Sequence, residues 1–316
     1  MLTTRSKLQF LFFALLVSAA PVLLLHTSLY HTGLQSEFVV RLEKFHNDII
    51  LSQGMAPFQY RLLAYWLPEW LHRVGVPLHF AYTINRFFWT AGGLVLLFML
   101  FRKWFSVPSS LIGCLLYLAL LPVTYFGGGL QPSDAPLFVF FLLGYLVLET
   151  GQPGWLVLII PVGALFHVTI FWLVPLAGLF WGRGGLQPKR LALLGFLVAL
   201  WFMIYVGVRY LIGPRPLLGQ PVEFGNNLKD PYAYINSAVM LSPLMFLRLD
   251  SWWLMPVFVR RSLLLAPVVV LLIWLAARPA EARLFLPLAP FLIAIPTTVF
   301  GSFIATPGRT SKPQNA

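Results

Sequence analysis

The sequence predicts an all-helical integral membrane protein whose chain crosses a bilayer about ten times. Of its 316 residues, 59% are hydrophobic and 10% are charged, whereas soluble domains carry about 25% charged residues. Apolar runs long enough to span about 30 Å of hydrocarbon recur along the whole chain. The basic residues form short clusters between these runs, as they do in the loops of membrane proteins.

The apolar runs set the order of the predicted helices. The first run, 8–26, follows Arg5 and Lys7 as a signal peptide would, but it is longer than a usual signal core, so we expect an uncleaved first span. Further helices are expected at 79–101, 108–126, 135–149, 190–212, 236–258, 262–277 and 284–304. We treat 1–316 as a single transmembrane domain that ends in a cytoplasmic tail, 305–316.

The segment 155–182 is compatible with one long helix or with a hairpin of two short helices that turns near His167. One long helix would place Arg183 and Lys189 on the opposite side of the membrane from Arg102. Because short basic loops favour the cytoplasmic side, we expect the hairpin. Its helices are too short to cross a bilayer unaided, so they must pack against protein or line a cavity that water or lipid headgroups enter.

Two polar stretches are predicted as external loops. The first, 27–77, contains the segment 58–73, which places Leu, Tyr and Trp on one side and charge on the other. That pattern is typical of a helix lying in the membrane interface, so we expect amphipathic helices in this loop. The second stretch, 213–235, is rich in Gly, Pro and Asn and has no apolar period.

The short basic loops orient the chain with its N-terminus in the cytoplasm, as a multi-pass protein of the inner (cytoplasmic) membrane. This topology places nearly all of the acidic residues outside. A net charge of +12 would by itself suggest nucleic-acid binding. However, the basic residues form no patch with interleaved aromatic residues, so we expect the lipid bilayer as a partner and no nucleic acid.

In this topology the ionisable residues at or near the external membrane face are the candidate site, because such residues are costly in a bilayer and often functional. They are Asp48, Arg61, Arg86, Asp134, His167 and Arg283. Structural roles compete with functional ones. Asp134 follows Ser133, so either residue could cap a helix, and His167 could be only a polar residue of the hairpin turn.

Several kinds of site are not supported by the sequence. It contains no HExxH, paired CxxC or GxxxxGK[ST] motif. Its 6 histidines form no ligand-spaced pair on one helix, and its 1 cysteine cannot form a disulfide within the chain. We therefore expect no metal ion and no cofactor.

Three segments resemble polytopic bacterial membrane glycosyltransferases of the glycosyltransferase C-type (GT-C) fold. They are HNDIILSQGMAPFQYRLL after the first helix, ALFHVTI in the hairpin and EARLFLPLAPFLIA at the last helix. The resemblance implies transfer of a sugar from a polyprenyl-phosphate donor to a glycan or lipid acceptor on the external face. It also implies an acid in the first external loop as catalytic base and arginines that bind the donor phosphate.

By position, Asp48 would be that base, and Arg61 and Arg283 would bind the phosphate. The sequence departs from the family pattern because Asp48 precedes an Ile-Ile-Leu run, so Glu43 and Asp134 remain rival acids.

Two other functions stay open. A transporter or flippase for a lipid or glycan would need polar residues along a path through the membrane, and Arg248 with Asp250 in the predicted helix 236–258 would suit one. A non-catalytic membrane subunit would need none of the candidate residues.

Overall fold

The computed structural model describes residues 35–126, 131–181, 187–216, 224–247, 249–276 and 282–304, together with 19, 20 and 22. Every regular element in these ranges is helical. The α-helices of the first half are α1 (Gln35–Ile50), α2 (Leu62–Arg73), α3 (Leu78–Phe101), α4 (Val107–Phe126), α5 (Asp134–Glu149), α6 (Leu156–Phe166) and α7 (Leu173–Trp181). Those of the second half are α8 (Pro188–Ile212), α9 (Phe224–Asn227), α10 (Pro231–Leu241), α11 (Leu249–Leu254), α12 (Val257–Ala276) and α13 (Ala289–Ile304). Short 3-10 turns cover Phe58–Tyr60, Pro153–Trp155, Val168–Trp172, Ser242–Phe246 and Ala282–Phe285.

The apolar runs predict several of these helices closely. Helices α3, α4, α5 and α8 begin and end within two residues of their predicted bounds. Three helices are long and apolar enough to cross a membrane, namely Leu78–Phe101, Pro188–Ile212 and Val257–Leu275. Other apolar helices in the described part are shorter. The predicted first span, 8–26, falls mostly outside the described residues, and the tail 305–316 falls wholly outside them.

The prediction of one helix over 236–258 is wrong. This stretch contains the end of α10, a 3-10 turn and α11, and α12 already begins at Val257. Proline causes the breaks, since it lacks an N–H and its ring clashes with the preceding turn. Pro243 is the second residue of the 3-10 turn Ser242–Phe246, and Pro256 separates α11 from α12. Helical structure starts at Phe224 and again at Pro231, so 213–235 is not wholly a loop.

The predicted last helix, 284–304, is also shorter than expected. A 3-10 turn covers Ala282–Phe285, and α13 begins only at Ala289.

The chain breaks at His167, as the hairpin prediction requires. His167 is extended (φ −163°, ψ 131°) and separates α6 from a 3-10 turn that leads into α7. After the turn, the Ile170 side chain packs against Gly163. A Cβ added at Gly163 would lie 2.8 Å from the Ile170 side chain. Further on, the ring of Phe180 stacks on that of Phe258 at 4.0 Å. The segment therefore reverses direction within the fold.

Helices α3 and α5 run in the same direction and define two ends of the bundle. Near their C-termini, the Trp104 indole N–H donates to Glu149 at 2.9 Å. Midway, Gly93 packs against Phe138, and near the start of α5 Asp134 lines a cleft together with Thr90. We call these ends the Glu149 end and the Asp134 end.

The core between the two ends is apolar and tightly packed. Buried side chains of α3 to α7 meet those of α12 and α13 in one cluster. At Gly144 of α5, an added Cβ would overlap the buried Leu173 side chain of α7. Tyr145 donates a hydrogen bond of 2.7 Å to the carbonyl of Pro287, which ties α5 to the chain entering α13.

Candidate functional site at the Asp134 end

Arg61 is a buried cation held by polar side chains. It lies between the 3-10 turn Phe58–Tyr60 and α2, and its residue exposure is 7%. Its guanidinium donates to the amide oxygen of Gln131 and, at 3.2 Å, to the hydroxyl of Ser133. It also lies 5.0 Å from the centroid of the Phe58 ring. Because burying an unsatisfied charge is costly, this set of contacts indicates a specific position for the guanidinium.

Asp134 lies beside this cation. It is the first residue of α5, and its carboxylate contacts the Ser133 hydroxyl at 3.5 Å. The Ser133 hydroxyl therefore contacts both the Arg61 guanidinium and the Asp134 carboxylate. The interpretation of Ser133 as a helix cap is wrong, because its side chain makes no capping hydrogen bond and instead accepts from Arg61. The carboxylate of Asp134 in the first turn interacts favourably with the helix dipole.

A narrow cleft opens next to Asp134. It encloses about 10 Å³, room for about one water molecule. The lining residues come from α3, α4, α5 and the chain before α13: Trp89, Thr90, Tyr117, Leu121, Asp134, Ala135, Phe138 and Leu286. The Thr90 hydroxyl is buried and has no hydrogen-bond partner within the described ranges. The cleft thus combines a carboxylate and an unpaired hydroxyl with aromatic walls.

Two further predicted arginines belong to elements that border this cleft. Arg86 precedes Thr90 by four residues on α3, so the two residues share one helix face, with Arg86 one turn nearer the N-terminus of α3. Arg283 belongs to the 3-10 turn just before the cleft residue Leu286. The Arg283 side chain lies outside what the structure describes.

Asp48 lies apart from this group. It is in the last turn of α1 and is partly exposed. Its carboxylate makes no hydrogen bond or ion pair within the described residues, so the structure does not join it to Arg61 or Asp134. The end of α1 is nevertheless tied to the segment leading to Arg61, since Gln59 donates to the carbonyl of Ile49 at 2.8 Å. The rival acid Glu43 is exposed on α1.

His167 has a structural role at the hairpin turn. Its Nδ1 accepts from the Thr169 backbone N–H at 3.3 Å and lies 2.8 Å from the Thr169 hydroxyl. It therefore caps the 3-10 turn that follows. The neighbouring Phe166 ring packs edge-on against Trp89 at 5.3 Å, which places the hairpin turn beside the cleft.

A buried polar chain links α1, α2 and α3, and its members are not among the residues predicted from the sequence. His46 Nδ1 lies 2.8 Å from the Tyr82 hydroxyl, and His46 Nε2 lies 2.9 Å from Glu69. Arg73 donates to the other carboxylate oxygen of Glu69 at 2.6 Å. With Glu69 ionised, Nε2–H donates to it and Nδ1 accepts from Tyr82. Helical spacing offered a signal, because Leu42, His46 and Ile49 share the buried face of α1.

Burial and pairing set the protonation of this chain. Burial lowers the pKa of His46 below its usual 6.5, although the Glu69 carboxylate acts against this, and nearby His72 lowers it further. Burial alone would raise the pKa of Glu69, but the hydrogen bonds from His46 and Arg73 outweigh it, so the pKa lies below 4.5. The folded protein therefore favours neutral His46 beside ionised Glu69.

The expected division of α2 into an apolar side and a charged side is wrong. Glu69 faces inward with Tyr65, whereas Trp66 is 38% exposed and Trp70 is 70% exposed. Arg73 also lies outside, with its guanidinium 5.5 Å from the Trp66 ring centroid. The charge turns inward because His46 provides a partner there, which leaves tryptophans and one arginine on the outer surface.

Comparison with protein families, curated proteins and solved structures finds no significant match to this chain.

Proposed function

We propose that this protein is a membrane-embedded glycosyltransferase that uses a polyprenyl-phosphate-linked sugar as donor. One observation carries the proposal: the buried, hydrogen-bonded Arg61 lies beside Asp134 at an end of the bundle where Arg86 and Arg283 also belong to bordering elements. Cations at a rim of low dielectric suit a phosphate that gains charge as the sugar leaves. The planar guanidinium of arginine can donate two parallel N–H groups to two oxygens of one phosphate.

The proposed reaction needs no metal ion. An acceptor hydroxyl oxygen attacks the anomeric carbon, the bond from that carbon to the phosphate oxygen breaks, and polyprenyl phosphate leaves. A carboxylate takes the proton of the acceptor hydroxyl. Arg61, with Arg86 and Arg283, binds the leaving phosphate.

Asp48 is the base that we propose, and Asp134 is its rival. Asp48 is partly exposed and its carboxylate is not engaged within the described residues, so an acceptor hydroxyl can reach it. Asp134 lines the cleft and contacts the Ser133 hydroxyl, which accepts from Arg61. His167 supports the same region by fixing the hairpin turn.

The proposed membrane placement follows from the two ends of the bundle. The chain spans the cytoplasmic membrane several times, with its N-terminus inside and the Asp134 end outside. The basic residues Arg102, Lys103, Arg260 and Arg261 then lie at the inner surface, where anionic lipids attract them. The outward tryptophans of α2, Trp66 and Trp70, match the aromatic belt of a membrane interface.

The test is sugar transfer by the full chain in proteoliposomes. Radiolabelled polyprenyl-phosphate hexoses are supplied with a membrane lipid extract as acceptor, and both labelled product and released polyprenyl phosphate are measured. We expect product with the wild type and a loss of about 10²-fold or more with Asp48→Asn. Donor that stays intact with every acceptor offered contradicts the proposal.

A transporter or flippase is the second candidate, and one observation favours it. Proline breaks the stretch predicted as helix 236–258 into short pieces, and broken helices border substrate paths in transporters. Arg248 and the side chain of Asp250 lie outside what the structure describes. Sealed vesicles separate the two candidates, because a flippase moves the labelled lipid between leaflets without changing it covalently.

A further inference from the structure

A basic cleft lies at the Glu149 end of the bundle, opposite the proposed transfer site. It is open to the surface, has a volume of about 240 Å³ and is lined by Trp252, Val257, Arg260, Arg261 and Leu264. Its position follows from Phe258, whose ring lies 4.0 Å from that of Phe180 and 5.7 Å from that of Trp104. Trp104 in turn bonds to Glu149.

The Arg261 guanidinium is held at the edge of this cleft by backbone oxygens. Its Nη1 donates to the carbonyls of Leu179 and Phe180 at 3.2 and 3.3 Å. These carbonyls belong to the last turn of α7, where helix carbonyls carry partial negative charge. The contacts fix a cation at the border of the cleft.

Arg260 brings an unused hydrogen-bond donor to the same cleft. Its Nε is buried and has no hydrogen-bond partner among the residues that the structure describes. Its guanidinium carbon lies 5.2 Å from the centroid of the Trp253 ring. A buried N–H without a partner is costly, and an acceptor that enters the cleft would remove that cost.

Two features make the electrostatic potential in the cleft positive. Arg260 and Arg261 both lie in the first five residues of α12, where the helix dipole is also positive. No carboxylate is among the lining residues that the structure describes. An anion would therefore satisfy both the arginines and the helix end.

The remaining walls are apolar and indicate what the anion is attached to. Val257 and Trp252 line the cleft, and Leu264 beside them is 62% exposed. Trp253 and Leu254, one turn before α12, are 74% and 70% exposed. A charged group with a hydrocarbon chain fits such a surface.

We propose that this cleft binds the phosphate of an anionic phospholipid, with the acyl chains along Leu264. Arginine binds phosphate oxygens through paired N–H groups, and basic pockets at the inner membrane surface recognise lipid headgroups in this way. The proposal rests on the membrane placement and does not depend on the transferase activity.

The test compares three additions to the delipidated full chain in detergent at constant ionic strength: dioleoylphosphatidylglycerol, dioleoylphosphatidylcholine and inorganic phosphate. We expect only phosphatidylglycerol to raise the midpoint of thermal unfolding. Equal stabilisation by phosphatidylcholine, or by inorganic phosphate alone, overturns the lipid-phosphate assignment. Native mass spectrometry of the wild type provides a second readout, in which retained phosphatidylglycerol is expected and retained phosphatidylcholine is not.

Matched variants locate the site. Arg260→Gln is expected to weaken phosphatidylglycerol binding about tenfold or more, as for loss of a charged hydrogen bond. The lipid-free midpoint of each variant is measured in parallel, because Arg260→Gln also removes the contact of its guanidinium with the Trp253 ring. Lys103→Gln removes the same charge from an exposed position at the same end and should keep the affinity. An equal loss with both variants overturns a specific site.

Discussion

Arg61 and Ser133, which are 72 positions apart in the chain, are joined by a hydrogen bond of 3.2 Å from guanidinium to hydroxyl. This contact connects the start of α2 with the start of α5, and Ser133 also touches Asp134. It places a buried cation where the proposed reaction needs one.

Replacing Arg61 is expected to lower both stability and donor turnover. Arg61→Gln leaves Gln131 and Ser133 without their partner, at a cost of about 1–3 kcal/mol in the free energy of unfolding. Arg61→Lys keeps the charge but loses the planar fork, so turnover should fall while most of the stability remains. Arg73→Gln is the control, because Arg73 is exposed and bonds only to Glu69 among side chains of the described part. Normal turnover with Arg61→Lys would show that the fork is not needed.

The two candidate acids should respond differently. Asp48→Asn removes the proposed base, so kcat should fall about 10²-fold or more with little change in KM for the donor. Asp134→Asn should mainly raise KM, because Asp134 lines the cleft and contacts Ser133. The reverse pattern, read from steady-state kinetics, would assign the base to Asp134.

Lowering the pH is expected to destabilise the contact between α1 and α2. The folded protein holds the pKa of His46 below 6.5, so the unfolded chain binds more protons as the pH falls, and stability declines below about pH 6.5. Glu69, with its pKa below 4.5, adds a second loss at lower pH. Tyr82, His72 and Arg73 are the other titratable or charged groups of this chain of contacts.

Thermal unfolding at a series of pH values measures this effect. The wild-type midpoint should drop between pH 7 and pH 5, and His46→Gln should remove the part of that drop nearest pH 6.5. His72→Gln replaces an exposed histidine of α2 whose effect is the smallest of those that lower the pKa of His46, so it should keep most of the drop. A wild-type midpoint that stays constant over this range would contradict the assigned protonation.

Close packing of α5 on α7 should make Gly144 intolerant of a side chain. Gly144→Ala would press a methyl group into the buried Leu173, at a cost of about 1–3 kcal/mol in stability. Gly195→Ala on α8 meets no atom within 4 Å and should leave the thermal midpoint unchanged or slightly higher. Equal effects of the two substitutions would show that α7 does not pack on α5 as described.

The sequence predicts the parts of this fold that depend on local pattern. Apolar runs locate α3, α4, α5 and α8, and the rule for short basic loops predicts the break at His167. The breaks near Pro243 and Pro256 were missed because the residues directly before and after each proline are mostly apolar. Proline acts through backbone geometry, to which hydropathy does not respond.

The candidate site depends more on long-range contacts, which one sequence does not reveal. The charges of Arg61 and Asp134 identify them as candidates, but their meeting at Ser133 requires two distant helix starts to pack together. The same holds for His46 and Glu69, whose pairing turns an acid inward and leaves Trp70 outside.

Release of polyprenyl phosphate tests the central proposal most directly. Purified wild-type protein and its Arg61→Gln variant, each in proteoliposomes, are given a radiolabelled polyprenyl-phosphate hexose and an acceptor extract. The proposal predicts transfer of the labelled sugar and release of polyprenyl phosphate by the wild type, with a loss of about 10²-fold in the variant. Intact donor in both samples, or equal release by both, would contradict it.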